Sequence, residues 1–427
     1  MENGNHIIEC LLCNGSLKEI YNFGATPLAN EFSEYKDYIS DDKFDLTLVN
    51  CKNCNHVQLN YIVNMERLYR DYLYVSSTSS INKKHFQDYA ENIIEKYHPK
   101  SIIDIGSNDG LFLSFFKEKH ILVAGIDPAE NIAKEANGNG ITTFAEFFNL
   151  EFAKKLTSNN VKNPNCKGVY EFKKVDVVTC NHMFAHNPNL ENIVMGVLEL
   201  LNTDGIFVFE NSYLLSILDN NLFDLVYHEH MHHHSVTALA KFLRKLGLKI
   251  FDVIHFPNQH GGSIRVFTCR NSSKRKVEDS VYEAFEKEKN IVSKLEKFSE
   301  KIKQSANVFQ NTLSKYSDKK IHCYGYAAKT TTLFYTFKIK SGQIEFCYED
   351  AELKQGKFSP GLHIPIVPVK ELYNKNPDVI IIGAWNFAKN IIKVHRKFVD
   401  DGGIFIIPLP DIEEINKDNI DEYLRDK

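Results

Sequence analysis

No apolar run in this 427-residue chain approaches the ~20 residues needed to cross a bilayer. Its opening residues, MENGNHIIE, are polar and unlike a secretory leader, so a cytoplasmic protein without a membrane partner is expected. Positive charge is not in excess: 51 Lys and Arg stand against 55 Asp and Glu, a net charge of −4. No basic block or RNA-binding motif appears either, which argues against a nucleic-acid partner. The G-x-G-x-x-G loop of dinucleotide enzymes is missing. Disulfides are not expected, although the chain has nine cysteines. Four of them fall in two C-x-x-C pairs, the pattern of a metal site in a reducing compartment. The length exceeds what one core usually serves, so two or three domains are expected.

The clearest fold signal is the stretch from Lys100 to Pro128, KSIIDIGSNDGLFLSFFKEKHILVAGIDP. An apolar run of strand length, Ser101 to Ile105, leads into the turn Gly106-Ser107-Asn108-Asp109-Gly110. A helical segment from Leu111 to Lys119 follows, then a second buried strand, Ile121 to Ile126, ending in Asp127-Pro128. Gly106 and Gly110 let the backbone bend sharply and approach a ligand closely. Asp127, at the strand's carboxyl end, suits the hydroxyls of a ribose. The pattern is D-x-G-x-x-x-G. A nucleoside cofactor without phosphate, such as S-adenosylmethionine, needs this turn, an acidic partner for its cationic part such as Asp104, and the ribose-binding acid. The loop and strand ends therefore nominate Asp104, Gly106, Asn108, Gly110, Asp127, Pro128 and, from a later strand, Asn181 as cofactor residues.

Upstream, Cys10-Leu11-Leu12-Cys13 and Cys51-Lys52-Asn53-Cys54 share one spacing. Two residues between thiolates let one turn offer both sulfurs to a tetrahedral ion, and two such turns close a structural zinc site. A redox pair is the competing reading of a single C-x-x-C; two pairs among short strands favour zinc. The segment DYLYVSSTSS, Asp71 to Ser80, reads either as a connecting loop or as part of a polar pocket.

Downstream, the strand Val175 to Cys180 ends in Asn181-His182-Met183-Phe184-Ala185-His186, and strand ends are where open α/β sheets bind ligands. Tyr227-His228-Glu229-His230-Met231-His232-His233-His234 holds five of the chain's 17 histidines. It reads as a metal site, as acid–base machinery or as a solvated run; Ser235 is the expected N-cap of a following helix that stops at Gly247. Lys274 to Tyr316 is charged and helix-periodic and predicts exposed bridging helices. A second, smaller Rossmann-like unit is expected after it, with strands at 321–326, 344–348, 379–383 and 403–408.

Taken together and in order, the C-x-x-C pairs, the DIGSNDG loop, the YHEH segment and the C-terminal runs KQGKFSPGLHIPI, GAWNFA and GGIFIIPLP resemble the sugar C-methyltransferases. That family methylates nucleotide-linked 4-keto-deoxysugars, as the C-3′-methyltransferases of antibiotic sugar pathways do. The resemblance implies an α/β protein of three parts: a zinc-binding domain at 1–70, an S-adenosylmethionine-dependent Rossmann-like domain at 71–273, and a helical linker with a Rossmann-like domain at 274–427 that helps hold the nucleotide. It implies that Cys10, Cys13, Cys51 and Cys54 bind Zn2+. The family's Y-x-E-H motif falls on Tyr227, Glu229 and His230, with His230 as base, oriented by Glu229. A tyrosine of the Y-x-Y-x-S-S-like segment, Tyr72 or preferably Tyr74, lines the site, and a histidine after the fourth strand matches His186. Where relatives often carry asparagine four residues earlier, this chain has His182. The implied reaction is proton removal from C3 and attack of the enolate on the methyl group by a monomeric enzyme. Sugar O- or N-methylation and a non-catalytic zinc and nucleotide-sugar binding protein are the alternatives.

Overall fold

The computed structural model describes residues 4–34, 42–69, 80–158 and 174–425. Ser101–Ile105 (β1) is buried at every position. Its Ile102 joins the apolar layer on one face, while Ile103 and Ile105 join the layer on the other. That is what the period of two does to a branched run covered on both sides. Around β1 stand Leu122–Ile126 (β2), Thr143–Phe144 (β3), Val175–Asn181 (β4), Leu201–Ser212 (β5), Leu248–Phe256 (β6) and Ser263–Arg270 (β7). Their order across the sheet is β6-β7-β5-β4-β1-β2-β3. Neighbours among β1 to β5 run parallel, and β7 runs antiparallel to both β5 and β6. The order reverses between β1 and β4, so a ligand crevice opens beyond their carboxyl ends. Gly106 to Gly110 and Asn181 to His186 meet there.

The N-terminal residues form a four-stranded antiparallel sheet of Leu17–Thr26, Phe44–Cys51, Val57–Leu59 and, at its edge, His232–His233. The edge strand comes from the histidine run, which therefore belongs to the same sheet as the second C-x-x-C pair.

The third sheet holds Ile321–Tyr324 (β8), Cys347–Glu349 (β9), Ile366–Pro368 (β10), Val379–Ile382 (β11), Ile404–Ile407 (β12) and Glu413–Ile415 (β13). Its order is β10-β9-β8-β11-β12-β13, parallel except for the last strand. This is the second Rossmann-like unit.

The charged segment leading to it is less exposed than its composition predicts. Helix Asp279–Glu288 buries Val281, Ala284 and Glu288, and helix Ile291–Ser314 buries a stripe including Leu295, Phe298, Ile302, Phe309 and Leu313. The Glu288 carboxylate accepts from the Tyr213 hydroxyl (2.9 Å) and from the backbone N–H groups of Val236 (2.6 Å) and Thr237 (2.7 Å). It thus satisfies donors at the start of helix Val236–Lys245, where negative charge is favoured. Ser235 caps the same helix as expected, its hydroxyl accepting from the Ala238 N–H. No helix among the described residues is long and apolar enough to cross a membrane.

Candidate active site and zinc centre

The two C-x-x-C turns face one another as near copies. In each, an N–H two residues on points back at the first sulfur: Leu12 to Cys10 Sγ (3.4 Å) and Asn53 to Cys51 Sγ (3.3 Å). Each turn is followed by a left-handed asparagine, Asn14 and Asn55. The four sulfurs lie within 4.8 Å of one another, with pairs at 3.4 to 3.7 Å. Sulfurs at 2.3 Å from a tetrahedral ion would be about 3.8 Å apart, so the set fits zinc with no position left open. The hydrogen bond from Cys54 draws the Cys10 thiol down to about 5, while Cys54 is pushed up by the same contact. Anionic sulfur is what a metal takes.

At the crevice of the central sheet, Gly106 adopts φ +73 and a Cβ there would lie 2.7 Å from that of Met183. Gly110 (φ +80) and Asn108 (φ 50) complete the turn. Asp127 Oδ2 accepts from the Asn108 N–H (2.9 Å) and Oδ1 from the Ala129 N–H (3.0 Å), tying the end of β2 to the loop; half-buried Pro128 stands between. Asp104 Oδ1 accepts from the Thr179 hydroxyl (2.7 Å) and more weakly from Asn181 Nδ2 (3.4 Å). Burial pushes Asp104 up to about 7 and Asp127 to about 6. Two carboxylates so raised, with the buried Asn181 Oδ1 lacking a partner among the described residues, suit a ligand that brings positive charge and donors. S-adenosylmethionine has both.

The histidine run is neither solvated nor arranged around a metal. His228, Glu229, His232, His233 and His234 are all buried, and the four cysteines form the only metal-competent cluster among the described residues. His230 Nδ1 lies 2.8 Å from the Leu225 carbonyl, an acceptor only, so that nitrogen carries the proton. The lone pair is on Nε2, 2.7 Å from the Tyr227 hydroxyl, which donates to it. Burial depresses His230 to about 4 and leaves it neutral. Both ring nitrogens are thus engaged, Nδ1 with the Leu225 carbonyl and Nε2 with the Tyr227 hydroxyl. The Glu229 carboxylate accepts from Asn30 Nδ2 (2.6 Å). The His186 ring lies 5.2 Å from that of His230 and stacks on Tyr69 (5.8 Å, 14° between planes). Its Nε2 is buried without a partner among the described residues. Tyr72 and Tyr74 lie outside the described residues.

The N-terminal sheet holds this segment along its length. The Leu59 N–H donates to the Met231 carbonyl (2.9 Å), His56 Nε2 bonds His232 Nδ1 (2.8 Å), and the Tyr69 hydroxyl reaches the Glu229 carbonyl (3.3 Å). Asn30, His56 and Tyr69 carry no motif, and nothing in the sequence singled them out. His182 sits at the end of β4 with φ 55, its ring 3.7 Å from Glu210. Burial raises the Glu210 carboxyl, but the His182 and His85 rings and the Arg265 charge more than offset this and hold it well below the usual range.

A nucleoside-cofactor crevice beside a half-buried tyrosine–histidine pair fits a methyltransferase of the S-adenosylmethionine class. Family models match in three consecutive blocks: a putative zinc binding domain at 10–69, a methyltransferase domain at 82–253 and a C-methyltransferase C-terminal domain at 258–410. The C-methyltransferase NovU of Streptomyces niveus is 30% identical over 426 residues, covering 97% of this chain and 98% of that protein. The ubiquinone biosynthesis O-methyltransferase of Actinobacillus pleuropneumoniae is 25% identical over 31% of this chain and 56% of that protein. A methyltransferase structure from Archaeoglobus fulgidus, 17% identical, covers 44% of this chain and 93% of its own at a TM-score of 0.34, a likeness too weak to add weight. The chain belongs to the C-methyltransferase family: it is an S-adenosylmethionine-dependent enzyme with a structural zinc site. That membership sets aside the non-catalytic alternative.

Proposed function

We propose that the enzyme methylates C3 of a nucleotide-linked 4-keto-deoxysugar through an enolate. A C–H bond beside a ketone yields to a histidine when the oxygen that gains charge is met by a donor. The observation that carries this reading is the Tyr227–His230 pair, in which a neutral imidazole keeps its lone pair on the nitrogen bonded to a phenol. The C3 proton passes to this pair and ends on His230 Nε2. The developing C4 oxyanion takes its hydrogen bond from His186, whose buried Nε2 has no partner among the described residues, with Tyr74 as a second donor. Bound S-adenosylmethionine supplies the electrophilic methyl group. Asp104, Asp127, Asn181 and the Gly106–Gly110 turn hold the cofactor, and Glu229, fixed by Asn30, faces the sugar.

The test is mass spectrometry of nucleotide-linked 4-keto sugars incubated with the enzyme in D2O. Deuterium entering C3 without cofactor, and a carbon-bound methyl group with it, is the expected result. A methyl group on oxygen or nitrogen, with the C3 hydrogen kept, would overturn the proposal.

A further inference from the structure

One buried carboxylate lies outside the machinery described so far. The Glu210 side chain, 1% exposed on β5, has both oxygens engaged: Oε2 accepts from Arg265 Nε (2.9 Å) and Oε1 from His85 Nε2 (2.7 Å). The Arg265 guanidinium is itself pinned over the rings of Tyr89 (3.3 Å) and Phe256 (4.6 Å). The charge of Glu210 is therefore met without help from the end of β4.

His182 nevertheless turns toward it. The residue adopts φ 55, which a β-carbon makes costly, and its N–H donates to the Glu210 carbonyl (2.7 Å). Its Nε2 lies 3.7 Å from Glu210 Oε1, inside ion-pairing distance, and its ring meets that of His260 edge-on at 5.0 Å. A carboxylate only accepts, so the hydrogen of a neutral His182 sits on Nε2 and the lone pair on Nδ1. Nδ1 has no hydrogen bond among the described residues, and 30% of the side chain is exposed. The neighbouring Asn181 reaches Asp104, and His182 is within electrostatic reach of both His186 and His230. An imidazole with a carboxylate behind one nitrogen and a free lone pair on the other, at a strand end in the crevice, is equipped to receive a proton.

The proposed reaction produces one. Exchanging C3–H for C3–CH3 with a sulfonium as methyl donor yields a neutral thioether and one proton per turnover. That proton lands on His230, which burial presses down to about 4, so it is not kept there at neutral pH. The Leu225 carbonyl holds Nδ1–H, which leaves Nε2 and the Tyr227 hydroxyl as the way out.

We infer that His182, backed by Glu210, carries this proton from His230 to solvent. The inference rests on the enolate reading above. C3–H breaks and leaves its electron pair in the enolate, and His230 Nε2 takes the proton. The proton leaves through the Tyr227 hydroxyl and a solvent molecule in the crevice to Nδ1 of His182. The resulting imidazolium, stabilised by Glu210, releases it from the exposed edge of the ring and is neutral again for the next turnover.

The test uses the nucleotide-linked 4-keto sugar methylated best in the panel above, prepared with deuterium at C3 and incubated with the enzyme in H2O. Wash-out of label with S-adenosylhomocysteine bound, and methyl transfer from S-adenosylmethionine, are measured in parallel by mass spectrometry. His182→Asn suits the left-handed backbone and removes the basic nitrogen. Without the relay the label stays on His230 and returns to C3, so the ratio of wash-out to methyl transfer should fall at least ~10-fold. A merely structural loss lowers both alike. If His182→Asn does not fold, His182→Gly suits the same φ and leaves room for free imidazole, which should restore wash-out. An unchanged ratio, wash-out indifferent to imidazole in His182→Gly, or no wash-out from wild type would overturn the relay while a methyl group on C3 keeps the carbon chemistry. A methyl group on oxygen or nitrogen with the label kept would instead remove the enolate reading.

Discussion

His230 shows how a half-buried side chain is prepared before any substrate arrives. A carbonyl that can only accept fixes its tautomer, and burial keeps it neutral. Replacing it with asparagine removes the basic nitrogen while keeping a side chain of similar polarity. His230→Asn should lower kcat at least ~10²-fold, the usual scale of acid–base catalysis, with S-adenosylhomocysteine affinity unchanged by titration. Near-normal turnover would sink the assignment. Gly106 is a different kind of constraint. An added methyl group meets both a strained φ and the Met183 side chain. Gly106→Ala should therefore weaken S-adenosylhomocysteine binding at least ~10-fold and destabilise the fold by ~1–3 kcal/mol, read by titration and denaturant unfolding. Both residues stand out in the sequence because their chemistry is local: a Y-x-E-H motif and a glycine between a strand and a helix. Asn30, Leu225 and Tyr69 do not, because each acts on a residue more than a hundred positions away or through a main-chain oxygen that any residue would supply.

At the scale of elements, the zinc module and the catalytic segment are one sheet. Val57–Leu59, directly after the second C-x-x-C turn, pairs with His232–His233, directly after His230. Zinc is far from the reacting groups in role, yet its loss releases the strand that holds them. Stripping the metal with a chelator should raise amide exchange across residues 228–233 and abolish turnover, while β1 and β4 keep their protection. Exchange confined to residues near the cysteines would refute this coupling. On the central unit, Glu288 has a comparable part, since three donors converge on its buried carboxylate. Glu288→Ala should destabilise the protein by ~1–3 kcal/mol for the unpaired donors, measured by denaturant unfolding. The charge pattern of 274–316 correctly predicted helices there but not their burial. Spacing of Lys and Glu reports the exposed face, and a single inward glutamate is indistinguishable from the rest until its partners are seen.

For the whole molecule, the buried histidines set the response to acid. His228, His230 and His232 are pushed down to about 4, and His233 and His260 to about 3, in each case by burial first. Each is neutral when folded but takes a proton below about 6.5 when unfolded, so stability present above that pH is lost as pH falls toward 4. Asp104 and Asp127, raised to about 7 and 6, act in the opposite sense. Five histidines outweigh two carboxylates. The Tm of the cofactor-free enzyme should therefore fall steadily from pH 6.5 to pH 4.5 in calorimetry, and a flat profile would contradict the burial of the cluster.

The sequence by itself determined the parts of this protein whose physics is short-range. The β1–turn–β2 unit, the paired C-x-x-C turns and the second Rossmann-like unit all follow from periodicity, glycine placement and ligand spacing within a few dozen residues. The tertiary structure alone decided that the histidine run would be buried as the edge strand of the zinc-module sheet. It also decided that His230 would lean on Leu225 and Tyr227. A hydrogen bond between distant elements depends on where each sheet packs, and packing is settled by the summed burial of many side chains rather than by any motif. The same run of histidines would read identically whether solvated or enclosed, because the strand beside it, Val57–Leu59, lies more than a hundred and fifty residues away in the chain.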